Sequence, residues 1–237
     1  MSTLDSAAGS VSQTLDRGIR ILELLADARR PQSIDDIAAA LEVHRSVAYR
    51  LIRTLEAHGL VVRETSGRLQ LGARLAALAA GVAHDLQAEA LPELTAAAND
   101  LGMTCFLVVL DRDECVTLTS VEPRHAVATV AQRPGTRHPV TVGAPGKAIL
   151  AQLPERDWPT GADEALATEV REAAVKRWAE SQNEVISSLH AVAVPLSIRG
   201  RAPAAIAAVY LPNGHEAAAV AERLTRSANA VRAALGA

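Results

Sequence analysis

The chain has 237 residues, of which 49% are hydrophobic, enough apolar content for packed cores and too much for a disordered chain. It has no run of about 18 apolar residues and no basic start followed by an apolar segment, so we expect neither a membrane span nor a secretory signal, and a cytoplasmic location. The net charge of -3 excludes a protein that is basic throughout, although a DNA-binding protein needs only one basic face.

Three helices are predicted near the start of the chain. Residues 1–10 are small and polar, and we expect them to be disordered. Apolar residues at helical spacing predict a first helix from residue 11 to about 27. Ser33, followed three residues later by Asp36, is typical of a capping box that begins a second helix. A third helical pattern follows after only a few residues, so the last two helices must pack closely.

The outer face of the third predicted helix carries cations and hydrogen-bond donors. After Gly59 the sequence alternates and breaks at residues 65–67, which predicts a β-hairpin. Two helices and a hairpin are typical of a winged helix-turn-helix, so residues 11–72 are predicted to bind DNA. A solvated charged face would explain any single arginine of this region. It explains less easily why arginines are concentrated on the predicted helix and hairpin. The predicted contacts to base edges and phosphates are His44, Arg45, Ser46, Tyr49, Arg50, Arg53 and Arg68.

The rest of the chain is predicted to form a linker helix and an α+β domain. Residues 73–88 are rich in alanine and leucine at helical spacing, which favours one helix that serves as linker and dimer contact. Residues 89–237 alternate between helical and β-rich patterns and form one domain-sized unit. Helices are predicted over 91–101, 146–153, 163–182 and 216–235, and strands over 104–110, 115–121, 126–132, 190–198 and 204–211.

Other chemical classes have little support. Cys105 and Cys115 lie in apolar, β-branched surroundings and are predicted to be buried small hydrophobes. The Gly146-Lys147 pair lacks the earlier glycine and the following hydroxyl of a phosphate-binding loop. No metal-ligand spacing, nucleophile elbow or acidic pair is present, so we expect no enzyme, no metal and no cofactor.

Four stretches, in this order, resemble the IclR family of bacterial transcription regulators. They are RSVAYRLIRTLEAHGLV, GRLQLG, GTRHPVTVGAPGKAILA and RWAESQNEVISSLHAVAVPL, and the resemblance covers nearly the whole chain. It implies a C-terminal antiparallel sheet with flanking helices, similar to GAF and PAS sensors, that binds a small metabolite and mediates oligomerisation. Family members are homodimers or dimers of dimers, which would hold two heads roughly 34 Å apart on a palindromic operator.

The resemblance also implies an effector pocket. Carried over residue by residue, it falls on Gly143, Ala144, Ser181, Ala191, Ala208 and Tyr210. Amides at a helix start suit a carboxylate, although the glycines of this loop could serve packing alone. Alanines and a tyrosine replace the family's polar groups at three positions, which favours a small organic acid with an apolar or aromatic portion. His190 alternates to the other strand face and is not expected to be a ligand.

The sequence thus predicts a ligand-responsive, sequence-specific regulator, in the preferred interpretation a repressor of a metabolic operon. Two alternatives stay open at this point. One is a DNA-binding regulator without a small-molecule effector, and the other is an enzyme built on the GAF-like domain. The residues near the effector loop that could pair with an anion, or else be solvated, are Arg133, Arg137 and His138.

Overall fold

A computed structural model describes residues 12–28, 30–125, 130–212 and 214–236, and the chain divides into two units between Val82 and Ala83. The predicted disordered start and most of the strand expected over 126–132 lie outside the described residues. The first unit contains α1 (Gln13–Asp27), α2 (Ile34–Ala40), α3 (Arg45–Ala57), β1 (Val61–Arg63), β2 (Leu69–Leu71) and α4 (Arg74–Ala79). Its core is apolar, with Ile21, Ile37 and Ile52 fully buried.

Local signals in the first unit were predicted well. Ser33 Oγ accepts from the Asp36 amide at 3.1 Å, and the Ser33 amide donates to Asp36 Oδ2 at 2.9 Å, which confirms the capping box. Gly67 closes the predicted hairpin with φ +82°. Between α2 and α3, Glu42 has φ +54°, a conformation that costs a side-chain-bearing residue about 1 kcal/mol.

The prediction of a single helix over 73–88 is wrong. The structure ends α4 at Ala79 and starts α5 (His84–Leu101) after Ala83, whose φ of +45° interrupts the helical path. None of the α4 residues is buried, whereas α5 buries Leu86 and Leu94 in the core of the second unit. Tertiary packing, rather than alanine-rich helix propensity, therefore decides where the second helix begins.

The second unit is a six-stranded antiparallel sheet with helices on both faces, which confirms the predicted α+β class. Its strands are β3 (Thr104–Asp111), β4 (Glu114–Val121), β5 (Arg137–Pro139), β6 (Ala179–Gln182), β7 (His190–Leu196) and β8 (Ala204–Tyr210). They lie in the order β5-β4-β3-β8-β7-β6. Besides α5, the helices are α6 (Gly143–Leu150), α7 (Glu164–Lys176) and α8 (Ala217–Ala234).

One predicted helix of this unit is too long. The helix expected over 163–182 ends at Lys176, because Arg177 takes φ +63°. Four of the remaining residues form β6 at the sheet edge, where Ser181 pairs with Ala191 of β7. A helical alanine and glutamate pattern continues into β6, so periodicity alone could not place this boundary.

Each face of the sheet has its own core. The face covered by α5 and α8 includes Leu107, Ala208 and Tyr210. The face covered by α6 and α7 includes Phe106 and Val209. Strand alternation therefore decides which side chains can approach α6. No described helix combines the length and apolar character that a membrane span requires.

Candidate DNA-binding and effector sites

The outer face of α3 is exposed as predicted. Ala48 and Ile52 fix the opposite side of the helix in the core of the first unit. His44 is the N-cap residue, and its Nδ1 accepts from the Ser46 amide at 3.3 Å and lies 2.8 Å from Ser46 Oγ. The remaining exposed side chains of this face are Arg45, Ser46, Tyr49, Arg50 and Arg53.

The cations of the head differ in how they are paired. Arg45 forms an ion pair with Asp35 of α2. On the hairpin, Arg68 Nη1 donates to the Pro31 carbonyl at 3.2 Å. Within the described residues, Arg50 and Arg53 take part in no ion pair. These two guanidinium groups are therefore available to an incoming phosphate or base without loss of an internal partner.

In the second unit, the predicted effector loop opens α6, and its first amides already have partners. The Gly143 amide donates to Glu184 Oε2 at 2.8 Å, and the Ala144 amide donates to Ser181 Oγ at 2.9 Å. Gly143 has φ +84°. The start of α6 thus presents two adjacent donors toward oxygen atoms of residues 181–184.

Gly146 has a packing role, in line with the alternative that the sequence left open. A Cβ built on Gly146 would lie 2.0 Å from the Val140 carbonyl oxygen, far inside van der Waals contact. The absence of a side chain lets α6 approach the chain after β5 closely. Packing and ligand binding are compatible here, because Gly146 sets the position of the Gly143 and Ala144 amides.

Lys147 places a positive charge beneath these amides. Its side chain is 5% exposed, and its Nζ lies 2.6 Å from Glu184 Oε1 and 2.6 Å from Glu169 Oε2. Burial by itself lowers the pKa of Lys147, but the hydrogen bonds that its ammonium donates to Glu169 and Glu184 outweigh burial, and the pKa is raised. The ammonium group therefore stays charged and attracts carboxylates.

A small cavity of about 40 Å³ lies beside the start of α6. Its apolar lining includes Phe106, Val185, Ala191 and Val209, and its polar lining includes Ser181, Glu184, Gln132, His138 and His190. His190 also borders the cavity. Its ring, however, lies 5.8 Å from the ring of Tyr210, on the other face of the sheet. The cavity therefore brings together Gly143, Ser181 and Ala191, three of the predicted effector residues, and the Ala144 amide is joined to them by its hydrogen bond to Ser181.

The structure does not bring Ala208 and Tyr210 to the same cavity. Both residues belong to the core under α5 and α8, on the opposite face of the sheet. Ala191 pairs in register with Val209, so Val209 is the β8 residue that faces the cavity. A shift of one residue along a strand exchanges the two faces, and the carried-over pattern was displaced by one such step.

Several cavity residues were not predicted from the sequence, above all Phe106, Glu184, Val185 and Val209. Phe106 and Val209 could have been found only from the strand register. Glu184 lies in one of the four stretches that carried the resemblance, but its contact with α6 depends on the loop that connects β6 and β7. No local pattern encodes that contact.

A larger cleft of about 320 Å³ lies on the other side of Lys147. Its walls include Glu169, Glu172, Glu180 and Lys176. The excess of carboxylates would repel an organic acid, so the small cavity is the better candidate for the predicted effector. Among the described residues, no cluster of three or more His, Cys, Asp or Glu side chains could hold a metal ion.

A winged helix-turn-helix whose α3 exposes Arg50 and Arg53, followed by a separate α+β unit with a partly apolar cavity, is the architecture of a two-part transcription regulator. The IclR helix-turn-helix model matches residues 14–65, and the model of the bacterial transcriptional regulator IclR C-terminal domain matches residues 79–235. The chain belongs to the IclR family of bacterial transcription regulators. The matched families are regulators of transcription and not enzymes.

Similar proteins support this assignment. The probable transcriptional regulator SauR of Cupriavidus necator is 32% identical over 210 residues, which are 81% of this chain and 83% of SauR. The crystal structure of an IclR regulator from Alicyclobacillus acidocaldarius has a TM-score of 0.83 and 27% identity, covering 95% of this chain and 99% of that one. An IclR homolog from Microbacterium hydrocarbonoxydans, complexed with 4-hydroxybenzoate, has a TM-score of 0.81 and 25% identity, with 94% and 99% covered.

Proposed function

We propose that this chain is a repressor of a metabolic operon that leaves its operator when a small organic acid with an aromatic or apolar portion binds the second unit. The observation that carries the proposal is the start of α6. The Gly143 amide and the Glu184 side chain line a cavity whose other walls include Phe106 and Val209, and the buried Lys147 ammonium lies 2.6 Å from Glu184 Oε1. That arrangement suits a carboxylate at one end of a ligand and an apolar group at the other.

For the DNA-binding site, we propose that Arg50 and Arg53 make the principal contacts. Ser46 and Tyr49 share their face of α3, since these positions recur at helical spacing. His44, Arg45 and Arg68 would contribute after exchanging their internal partners for phosphate oxygens. We further propose that two heads of a homodimer, or of a dimer of dimers, read a palindromic operator. A regulator of this kind acts where the chromosome is, so we place it in the cytoplasm.

For the effector site, we propose Gly143, Ala144, Ser181 and Ala191 together with Phe106 and Val209. Ala208 and Tyr210 are left out, because the sheet lies between them and the cavity. The related protein from Microbacterium hydrocarbonoxydans was crystallised with 4-hydroxybenzoate, which makes that acid the first probe to try. It has the two properties that the cavity favours, a carboxylate and an aromatic ring.

DNA binding is tested by mapping genomic fragments that the full chain retains, and then by fluorescence anisotropy on a retained fragment. Arg50→Ala removes an unpaired guanidinium from each head. A bidentate contact to guanine supplies about 1 to 3 kcal/mol, so loss from two heads should weaken binding by at least about 30-fold. Arg20→Ala is the matched control, because Arg20 is exposed on α1 of the same unit, outside α3 and the hairpin. Equal affinity of Arg50→Ala and the unmodified chain, with an unchanged oligomer, would contradict the assignment.

The effector is tested by calorimetric titration and by release of the bound fragment. We expect 4-hydroxybenzoate or another aromatic acid to bind, and the retained fragment to dissociate. Tight binding of pyruvate or glyoxylate, with no competition from aromatic or longer acids, would contradict the proposed class. A thermal-shift screen in which no metabolite stabilises the chain would instead favour a regulator without an effector.

Repression is tested by placing the retained fragment upstream of a reporter gene. Deletion of the regulator should raise expression, and the acid should raise it only when the regulator is present. A fall in expression on deletion would indicate an activator. The two results distinguish a repressor from an activator. Neither result bears on whether the chain binds DNA.

A further inference from the structure

The carboxylate position at the start of α6 is filled by the chain itself. Glu184 Oε2 accepts from the Gly143 amide at 2.8 Å, and Glu184 Oε1 lies 2.6 Å from Lys147 Nζ. One side-chain carboxylate thus bridges the helix start and the buried ammonium group. These are the donors that an acidic ligand would need.

The loop that carries Glu184 also fills the neighbouring space. Val185 Cγ2 comes within 2.8 Å of the point where a Cβ of Gly143 would lie. The cavity that remains is about 40 Å³, whereas pockets for small molecules are typically about 300 Å³ or larger. An aromatic acid therefore needs more space than this cavity offers, and residues 183–189 form its exposed wall.

Two of the three large apolar side chains of this loop are already exposed, whereas Leu189 packs against the core of this sheet face. Val185 and Ile186 are already 47% and 49% exposed. Asn183 and Ser188, at either side of them, have φ of +60° and +67°, a left-handed conformation that asparagine tolerates but that is strained for serine. The Asn183 side chain accepts from the Ser188 amide at 2.7 Å, so the loop closes on itself and can move as one piece.

The charge of Lys147 would remain balanced during an exchange. Glu169 Oε2 stays 2.6 Å from Lys147 Nζ on the α7 side. A ligand carboxylate that replaced Glu184 would restore the second ion pair and the hydrogen bond from Gly143. The exchange therefore leaves no buried charge without a partner, which would otherwise be costly.

We infer that Glu184 is an internal occupant of the effector's carboxylate position, and that an organic acid binds by displacing it together with residues 183–189. This inference rests on the proposed effector site. The loop then acts as a latch that is closed in the free protein, and the acid must compete with a carboxylate that is already in place. Free and bound forms differ first at this loop.

A carboxylate-rescue experiment tests the latch without knowledge of the natural effector. Glu184→Ala removes the internal carboxylate and leaves Gly143 and Lys147 short of a partner. We expect its melting temperature to fall by at least about 3 °C in sodium chloride. Sodium acetate at equal ionic strength should restore at least half of that loss. Recovery requires only that a free carboxylate can reach the vacated position.

Glu172→Ala is the matched control, since Glu172 lines the acidic cleft and bonds only Lys176, at 3.2 Å. In each of the two salts, the Glu172→Ala variant should melt at the same temperature as the unmodified chain. Should Glu184→Ala fail to fold, Glu184→Ser, which also vacates the carboxylate position, replaces it in the same comparison. Absence of an acetate-specific recovery in the variant that folds would overturn the inference.

Different experimental results would contradict the latch and the proposed effector class. If the latch is correct, Glu184→Gln should bind 4-hydroxybenzoate about tenfold more tightly than the unmodified chain. Tighter or equal binding by the unmodified chain overturns the latch while supporting the effector class. Acetate rescue of Glu184→Ala, combined with no binding of any aromatic acid, supports the latch and contradicts the effector class.

Discussion

Gly146→Ala tests whether the close approach of α6 to the Val140 peptide positions the effector site. The added Cβ would lie 2.0 Å from the Val140 oxygen and 2.8 Å from its carbonyl carbon. Ordinary contact begins near 3.4 Å, so the helix or the peptide must move by about 1.4 Å. Both contacts are with backbone, which cannot rotate away as a flexible side chain would.

The expected cost combines overpacking with lost hydrogen bonds. Overpacking costs about 1 to 3 kcal/mol, and a shift of α6 also stretches the bonds from Gly143 and Ala144 to Glu184 and Ser181, at about 1 kcal/mol each. A loss of about 3 kcal/mol should lower the melting temperature by about 6 to 12 °C in a domain of this size. The affinity for an organic acid should fall together with the stability.

Tryptophan fluorescence isolates the unit concerned, because Trp158 and Trp178, the chain's two tryptophans, both lie in the second unit. Gly200→Ala is the control. Gly200 has φ +76° and nothing within 4 Å of its built Cβ, so alanine there introduces strain of about 1 to 2 kcal/mol without a clash, and should leave acid binding unchanged. A Gly146→Ala protein that melts within about 1 °C of the unmodified chain would refute the packing argument.

Three further predictions concern stability and reactivity. The Arg201 guanidinium holds the pKa of Asp85 at about 2, below its usual 3.8; the destabilisation by Asp85→Asn in urea unfolding should therefore be full above about pH 4 and vanish as the pH falls toward 2. Ser33→Ala removes one half of the capping box, and should cost the first unit about 1 kcal/mol, measured by faster hydrogen exchange of α2. Burial raises the pKa of the Cys105 and Cys115 thiols to about 12, so both should react with a thiol reagent only after unfolding.

Sequence patterns were reliable where the determinants are local. The capping box at Ser33, the hairpin turn at Gly67 and the buried positions of α3 follow from hydrogen bonding and periodicity within a few residues. The break at Ala83 and the end of α7 at Arg177 were missed because packing on the sheet decides them. Neither position carries the glycine that usually marks a left-handed helix end.

The effector residues divide in the same way. Gly143 and Ala144 could be placed at a helix start because that start is a local signal. That Ala208 and Tyr210 lie on the sheet face opposite the cavity could not be predicted, because the register between β7 and β8 is a long-range property. The Ala191 and Val209 pair shows how one register step changes a site. Glu184 was missed for a related reason, since it reaches α6 across 41 residues of sequence.

The division between fixed and movable parts also indicates where a bound acid would act. All eight residues of α6 are buried, so this helix cannot shift without repacking the sheet and α7. Residues 183–189, in contrast, hold exposed apolar side chains and the strained Ser188 at the edge of the sheet. At the proposed site, recognition would rest on immobile amides, and the response would belong to the loop beside β6. We expect a bound acid to alter the surface around Val185 and Ile186 before it alters any element of the core.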